Sequence, residues 1–265
     1  MTKTLTQKLT ALSVMVLLGT SLQLHAQVSA EGPDYVPDGN NLVKMNVAAL
    51  ALKNFSFQYE RAIGNKMSVA MGFRFMPKGD IPFKGGIKDL VDDEQTKNTI
   101  ETFKTSNIAI TPEVRFYMGK GVFQGFYVAP FLRYAKYNAE GPFDFNVTLQ
   151  SSTSTQTFTQ SVFFKGGVNT YTGGVMIGAQ WKLSKLVYLD WWILGASYGF
   201  SKGGIATQKS LNALEQQELR KQIGDFVDDL PIVKATYNVD GNGANIDFKG
   251  PWAGARAGLN VGFRF

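Results

Sequence analysis

From residue 42 onward, apolar side chains recur at every second position, the period of a β-strand whose two faces meet different surroundings. Eight segments carry the pattern, at approximately 42–51, 54–63, 67–76, 106–118, 125–138, 171–183, 186–200 and 252–265. In the second, Phe55, Phe57 and Tyr59 alternate with Ser56, Gln58 and Glu60; in the third, Val69, Met71, Phe73 and Phe75 alternate with Ala70, Gly72 and Arg74. The fourth sets Ile108, Ile110, Val114 and Phe116 against Asn107, Thr111, Glu113 and Arg115. One face is aliphatic and aromatic in nearly every segment, while the other mixes small, polar and charged residues. The pattern makes the chain all-β. Alternation alone does not say which face is inside, because a soluble sandwich or calyx hides the apolar face and a transmembrane barrel hides the polar one.

Three features decide between them. Short joints at 64–66, 119–124 and 184–185 alternate with long ones at 77–105, 139–170 and 201–251, which puts every long loop at one end of an up-and-down barrel. The short joint at 52–53 is an exception on the long-loop side. Aromatics gather toward both ends of the strands, giving two candidate interfacial belts. Tyr117, Phe126, Trp181 and Tyr188 flank the short turns, and Phe75, Tyr134, Tyr137, Tyr198 and Trp252 lie toward the long loops. The final segment, GLNVGFRF, places Leu259, Val261, Phe263 and Phe265 on one face and Asn260 and Arg264 on the other. That alternation with a terminal Phe resembles the signal that delivers outer-membrane barrels to their assembly machinery. The fold these features predict is an eight-stranded antiparallel up-and-down transmembrane β-barrel with long extracellular loops carrying short helices.

Composition sharpens this picture. Aromatics make up 13% of the 265 residues, with 20 Phe and 28 Gly, while charged residues are only 18% against roughly 25% in an ordinary soluble domain. The mean hydropathy of −0.09 argues against a bundle of membrane helices, each of which needs about 20 consecutive apolar residues. At the N-terminus, Lys3 and Lys8 precede an apolar run from Leu12 to Leu18 and the stretch LQLHAQ, the three parts of a secretory leader. Cleavage is expected between Ala26 and Gln27, giving a leader at 1–26, a short periplasmic segment at 27–41 and a barrel domain at 42–265. The net charge of +6 falls to +4 without the leader, too mild a balance to imply a nucleic-acid partner. Cysteine is absent and the single histidine, His25, lies in the leader. Ser-His-acid and Cys-His catalysis and His-based zinc sites are then chemically unavailable to the mature chain, and no cofactor or metal is expected.

On the barrel reading, the inward charges are Lys44, Glu60, Arg74, Glu113, Arg115, Arg133, Lys182, Asp190, Arg256 and Arg264, seven basic and three acidic. Eight strands leave room only for side chains, so these groups should interlock in ion pairs. The basic excess should sit where water reaches Lys44, Lys182 and Arg264. Pro112 and Pro130 fall nearly opposite each other in adjacent strands and should weaken the ladder there. Two amphipathic loop stretches, 87–103 and 210–230, predict helices. In the second, Leu211, Leu214, Leu219, Ile223, Phe226 and Leu230 approximate one face behind a Ser210 cap, and the two apolar faces are expected to pack together as a lid, with engagement of an external partner as the alternative. The segment FDFNVTLQSSTSTQTFTQSVFF reads as a hairpin rising above the membrane around a Ser/Thr tip. VDGNGANID (239–247) reads as a tight turn, since it lacks the spacing of a calcium loop.

The Gln-Tyr-Glu-Arg stretch at 58–61, Arg-Phe-Met-Pro-Lys-Gly at 74–79 and Ala-Pro-Phe-Leu-Arg-Tyr at 129–134 resemble a family of outer-membrane β-barrels of unknown function from Gram-negative envelopes. The architecture is more loosely similar to the OmpA/OmpX-type barrels. The resemblance implies fold and compartment and supplies no activity. The expected partners are outer-membrane lipid, the barrel-assembly machinery during biogenesis and an extracellular ligand met by the loops. The expected role is a non-enzymatic surface scaffold or binding protein, with a narrow channel for small solutes or ions as the alternative and a carboxylate-only lipid-modifying enzyme as a third.

Overall fold

The computed structural model describes residues 39–265 except 93, 151–153 and 229–232. The predicted leader with its Ala26/Gln27 junction, nearly all of segment 27–41 and Leu230 lie outside the described residues. The strands are β1 (Asn41–Asn46), β2 (Phe55–Gly64), β3 (Met67–Asp80), β4 (Lys104–Tyr117), β5 (Gly125–Gln150), β6 (Thr155–Lys182), β7 (Val187–Gln208), β8 (Lys234–Asp240) and β9 (Gly243–Arg264). The helices are α1 (Val47–Leu50), α2 (Lys84–Lys88), α3 (Glu94–Thr102) and α4 (Ala213–Asp228). None of these helices is long and apolar enough to cross a membrane.

Each strand pairs antiparallel with its neighbours in the order β1-β2-β3-β4-β5-β6-β7-β9, and β9 returns to pair with β1. The sheet is therefore an eight-stranded up-and-down barrel, with β8 added as a hairpin partner to the upper part of β9. A row of ladder partners runs from Leu42 through Glu60, Ala70, Glu113, Phe131, Gly174 and Ser197 to Gly254. Leu42 itself pairs with Arg264, so the ring closes with a stagger of ten residues along β9. Eight strands so staggered tilt by about 40° and enclose a space that side chains just fill.

All eight predicted segments are strands, with informative differences at their ends. β1 stops at Asn46 because its side chain accepts a hydrogen bond from the Ala49 amide (3.0 Å), capping α1 where the sequence predicts strand up to residue 51. β7 and β9 run well beyond the predicted segments, into the regions read as loops, while β5 and β6 continue upward into the predicted hairpin, which pairs from Phe143–Val162 to Gln150–Thr155. The cause is a change of surroundings along each strand. In β9, even-numbered side chains point inward throughout, but they are Arg256, Asn260 and Arg264 at the lower end and Ala244, Ile246 and Phe248 at the upper end. Outward positions change the opposite way, from Leu259 and Phe263 to Asn245, Asp247 and Lys249. The period of two persists while the meaning of each face reverses.

Above the reversal, inward apolar side chains of the extended strands build an ordinary core with α4. Phe145, Val147, Val162, Phe164, Val239 and Ile246 bury Leu211, Leu219 and Ile223. Asn212, not Ser210, caps the helix: its side chain accepts from the Glu215 amide while Glu215 accepts from the Asn212 amide, both at 2.9 Å, a reciprocal capping box. Val227 packs on this core while Phe226 is exposed. The lid is thus one helix on a sheet: α4 packs chiefly on β5 and β8, while α2 packs on α3 and α3 on β5. The hairpin after Asp240 is a two-residue Gly241–Asn242 turn, as read from the sequence. β4 and β5 pair at Ile110–Tyr134, then at Glu113–Phe131 and Phe116–Val128, so Pro112 and Pro130 each fall in an unpaired step.

Candidate functional site: the charged barrel interior

The inward positions of the lower barrel converge on six ionic side chains, three cations and three anions. Lys44 on β1 reaches Glu60 on β2 (2.5 Å) and Asp190 on β7 (2.6 Å). Arg115 on β4 is the centre: Nε donates to Glu113 (2.7 Å), Nη1 to Asp190 (2.7 Å) and Nη2 to Gln58 (2.8 Å). Its guanidinium also lies 4.4 Å from the Tyr127 ring centroid. Arg256 on β9 completes the set through Glu113 (3.2 Å) and stacks on Phe131 and Trp192. Polar neighbours take up the remaining valences. Tyr117 and Ser68 donate to Glu60, and Tyr127 (2.7 Å) and Trp192 (3.2 Å) donate to Asp190. Charges this far from water persist only when paired and hydrogen-bonded, and these are.

Lys44 is a correction to the sequence reading. The sequence places it at a wet end to relieve the basic excess, yet it is 1% exposed, because β1 sets it between Glu60 and Asp190. The remaining four predicted residues lie apart from the central cluster. Arg74 and Arg133 sit one level above, half-buried, Arg74 bonded to Tyr137 (3.2 Å) and Arg133 to Thr111 (3.3 Å). Lys182 is half-buried at the short-turn end of β6. Arg264 donates to Tyr188 (3.0 Å) and to the Gly39 carbonyl (2.7 Å). Leu259, Val261, Phe263 and Phe265 all occupy the outward face of β9 or its end.

The short-turn end is sealed by an aromatic plug that sequence reasoning misassigned. Tyr117 and Tyr188, expected in the outer belt, are 3% and 0% exposed inside the barrel. They meet the ring of Phe123 edge-on at 6.4 and 6.3 Å, with the Arg264 guanidinium 5.4 Å from its centroid. Phe123 holds a left-handed backbone (φ 65°), a conformation costly for a bulky residue and kept only where surrounding contacts demand it. The turn closes tightly: a Cβ on Gly119 would stand 2.2 Å from the Gln124 carbonyl oxygen. Tyr137 and Trp252 likewise face inward, stacked at 5.4 Å, while Phe126, Trp181, Phe75 and Tyr198 face outward as predicted. Gln58, Gln180, Tyr117 and Tyr127 also line the interior, each sharing the parity of an inward charge on its own strand.

Above the barrel, exposed ion pairs fasten the α2–α3 connection. Hydrogen bonds from Lys104 and then Lys84 hold the Asp80 carboxyl down at about 2, and those from Lys84 and Lys88 hold Glu101 at about 2. The same bonds, Glu101 first, raise Lys84 above its usual range.

Among the described residues no group of three or more His, Cys, Asp or Glu side chains is gathered around a shared point for a metal ion. The interior offers fixed charges that are mutually paired at its centre. No curated protein and no solved structure matches the chain. Residues 12–205, from before β1 to near the end of β7, match the family described as "Protein of unknown function (DUF3575)". With most of its length so matched, the chain belongs to this family of unknown function.

Proposed function

We propose that this protein is an integral outer-membrane β-barrel of the Gram-negative envelope, acting without catalysis as a surface scaffold or binding protein through its long-connection end. The observation that carries the reading is the reversal of polarity along the strands. Below it, large side chains such as Phe55, Phe57, Phe73, Ile177, Trp191 and Leu194 stand 43–58% exposed around a charged interior. An outward apolar surface of that extent marks a lipid or protein interface. On β6 it runs from Trp181 to Tyr171, about ten residues, which at this tilt covers a bilayer core of roughly 25 Å. Above it, both faces take the character of a water-soluble domain.

The alternative, a narrow channel, is disfavoured by the same interior. A permeating ion would have to part the Lys44–Asp190–Arg115–Glu60 contacts and displace the Phe123 plug. The reading is tested by reconstituting the folded chain in planar bilayers. No current above the lipid background is expected, and reproducible unit steps would transfer the assignment to the channel. A mature chain that stays folded and monodisperse without detergent would remove the membrane assignment itself.

A further inference from the structure

The reversal of polarity coincides with a row of lysines. On the outer wall, ladder partners run Lys136 (β5), Asn169 (β6), Lys202 (β7), Lys249 (β9) and Lys234 (β8), crossing five strands without an acid. Lys202 and Lys234 both stand directly opposite Lys249, and like charges in cross-strand register destabilise a sheet. Among the described residues, none of Lys136, Lys165, Lys202, Lys234 and Lys249 has a carboxylate within 4.0 Å. The outward acids nearby are Glu140, paired with Lys78, Asp80, paired with Lys84 and Lys104, and Asp247, 3.5 Å from the Asn245 amide. Next to the row, a groove of 480 Å³ on the same surface is walled by Lys78, Lys104, Lys136 and Lys165 and by Glu140; Lys78 pairs with Glu140 and Lys104 with Asp80, which leaves Lys136 and Lys165 as its unpaired cations among the described residues.

One step lower on the same strands lies an outward aromatic row. Tyr134, Tyr171 and Phe200 are ladder partners, with successive ring centroids 5.2 Å apart. The lysine row is two residues beyond it, about 7 Å along each strand. The sequence of surfaces, apolar band, aromatic row, lysine row, matches the section of a leaflet from acyl chains to headgroup. Lysine suits that position, since its stem can lie along apolar surface while the ammonium reaches outward.

We propose that this lysine row and its groove bind the phosphate groups of a phosphorylated lipid in the outer leaflet, whose negative charge relieves the repulsion within the row. The proposal rests on the membrane reading above. A soluble anion would be served equally well anywhere on the surface, whereas this row follows the edge of the apolar band across five strands.

The test uses the full mature chain folded in non-ionic detergent and titrated with bisphosphorylated lipid A, the same lipid with its phosphates removed, and inorganic phosphate, bound lipid being counted by native mass spectrometry. The triple variant Lys136→Gln/Lys202→Gln/Lys249→Gln is compared with the matching triple Lys→Arg variant, folding of each being scored by its gel mobility. The wild type and the Arg variant should retain the phosphorylated lipid, and the Gln variant should bind it about a hundredfold more weakly. The dephosphorylated lipid should bind poorly to all three, and millimolar inorganic phosphate should not compete. Equal retention of the two lipids, or unaltered binding by a folded Gln variant, would overturn the proposal, as would competition by inorganic phosphate, which would mark a free-anion site. A chain that needs no detergent fails the membrane reading; one that needs detergent but ignores the phosphates fails this proposal alone.

Discussion

Neutralising Asp190 should be among the most damaging single changes in the barrel. Asp190→Asn preserves the shape of the side chain and removes one charge, leaving three cations against two anions in a space where Lys44, Glu60, Arg115 and Asp190 are all 0–1% exposed. Two charge-assisted contacts are lost or weakened, Lys44 at 2.6 Å and Arg115 at 2.7 Å. At about 1.5–3 kcal/mol each they bracket a loss of about 3–6 kcal/mol, overlapping the roughly 3–5 kcal/mol measured when one partner of a buried pair is removed. Urea unfolding in detergent micelles, followed by tryptophan fluorescence and by the gel mobility of folded against unfolded chain, would read the change. Lys44→Gln/Asp190→Asn restores the balance of charge, so the double variant should lose at least about 1 kcal/mol less than the sum of the singles. A loss below about 1 kcal/mol for Asp190→Asn, the scale of a solvated surface pair, would refute the view that these charges lock the interior.

Two further predictions concern the structure above the barrel. The Glu101 carboxyl should titrate at about 2 instead of its ordinary 4.5, so its contribution to the α2–α3 connection is complete above about pH 4.5 and is lost as pH falls toward 2; carboxyl-carbon NMR would read the midpoint, and titration near 4.5 would dissolve the pairing with Lys84 and Lys88. Ile223→Ala, at a site 1% exposed in the upper core, should cost about 2–5 kcal/mol of local stability. Proteolysis within 210–228 should then accelerate while the barrel remains folded, and unchanged protection would show that α4 is held by something other than this core.

Much of the barrel was legible because one periodicity carries its information directly. The alternation placed all eight strands, and the sequence of short and long joints gave their up-and-down order. Interior identity was legible by parity: Glu113 and Arg115 share their face with Tyr117, and Asp190 shares its face with Tyr188. Reading those tyrosines by residue type, as interfacial aromatics, lost that information; the ladder admits no exception to parity without a bulge. Lys44 was misjudged for a different reason. Its depth depends on the ten-residue stagger at closure, which comes from long-range register and leaves no mark in any single segment. The upward extension of β5 and β6 is legible as the 143–164 hairpin, whereas the overrun of β7 and β9 into predicted loops is hidden because the outward face turns polar there, so the strand signal survives with its polarity exchanged.

That exchange divides the molecule into two regions with opposite thermodynamic temperaments. The upper part is held by oil-like contacts among Phe145, Phe164, Leu219 and Ile246, whose grip weakens on cooling. The lower part is held by electrostatic locks shielded from solvent, on which cold has little hold. Chilling should therefore loosen the crown of the protein first and leave its foundation standing.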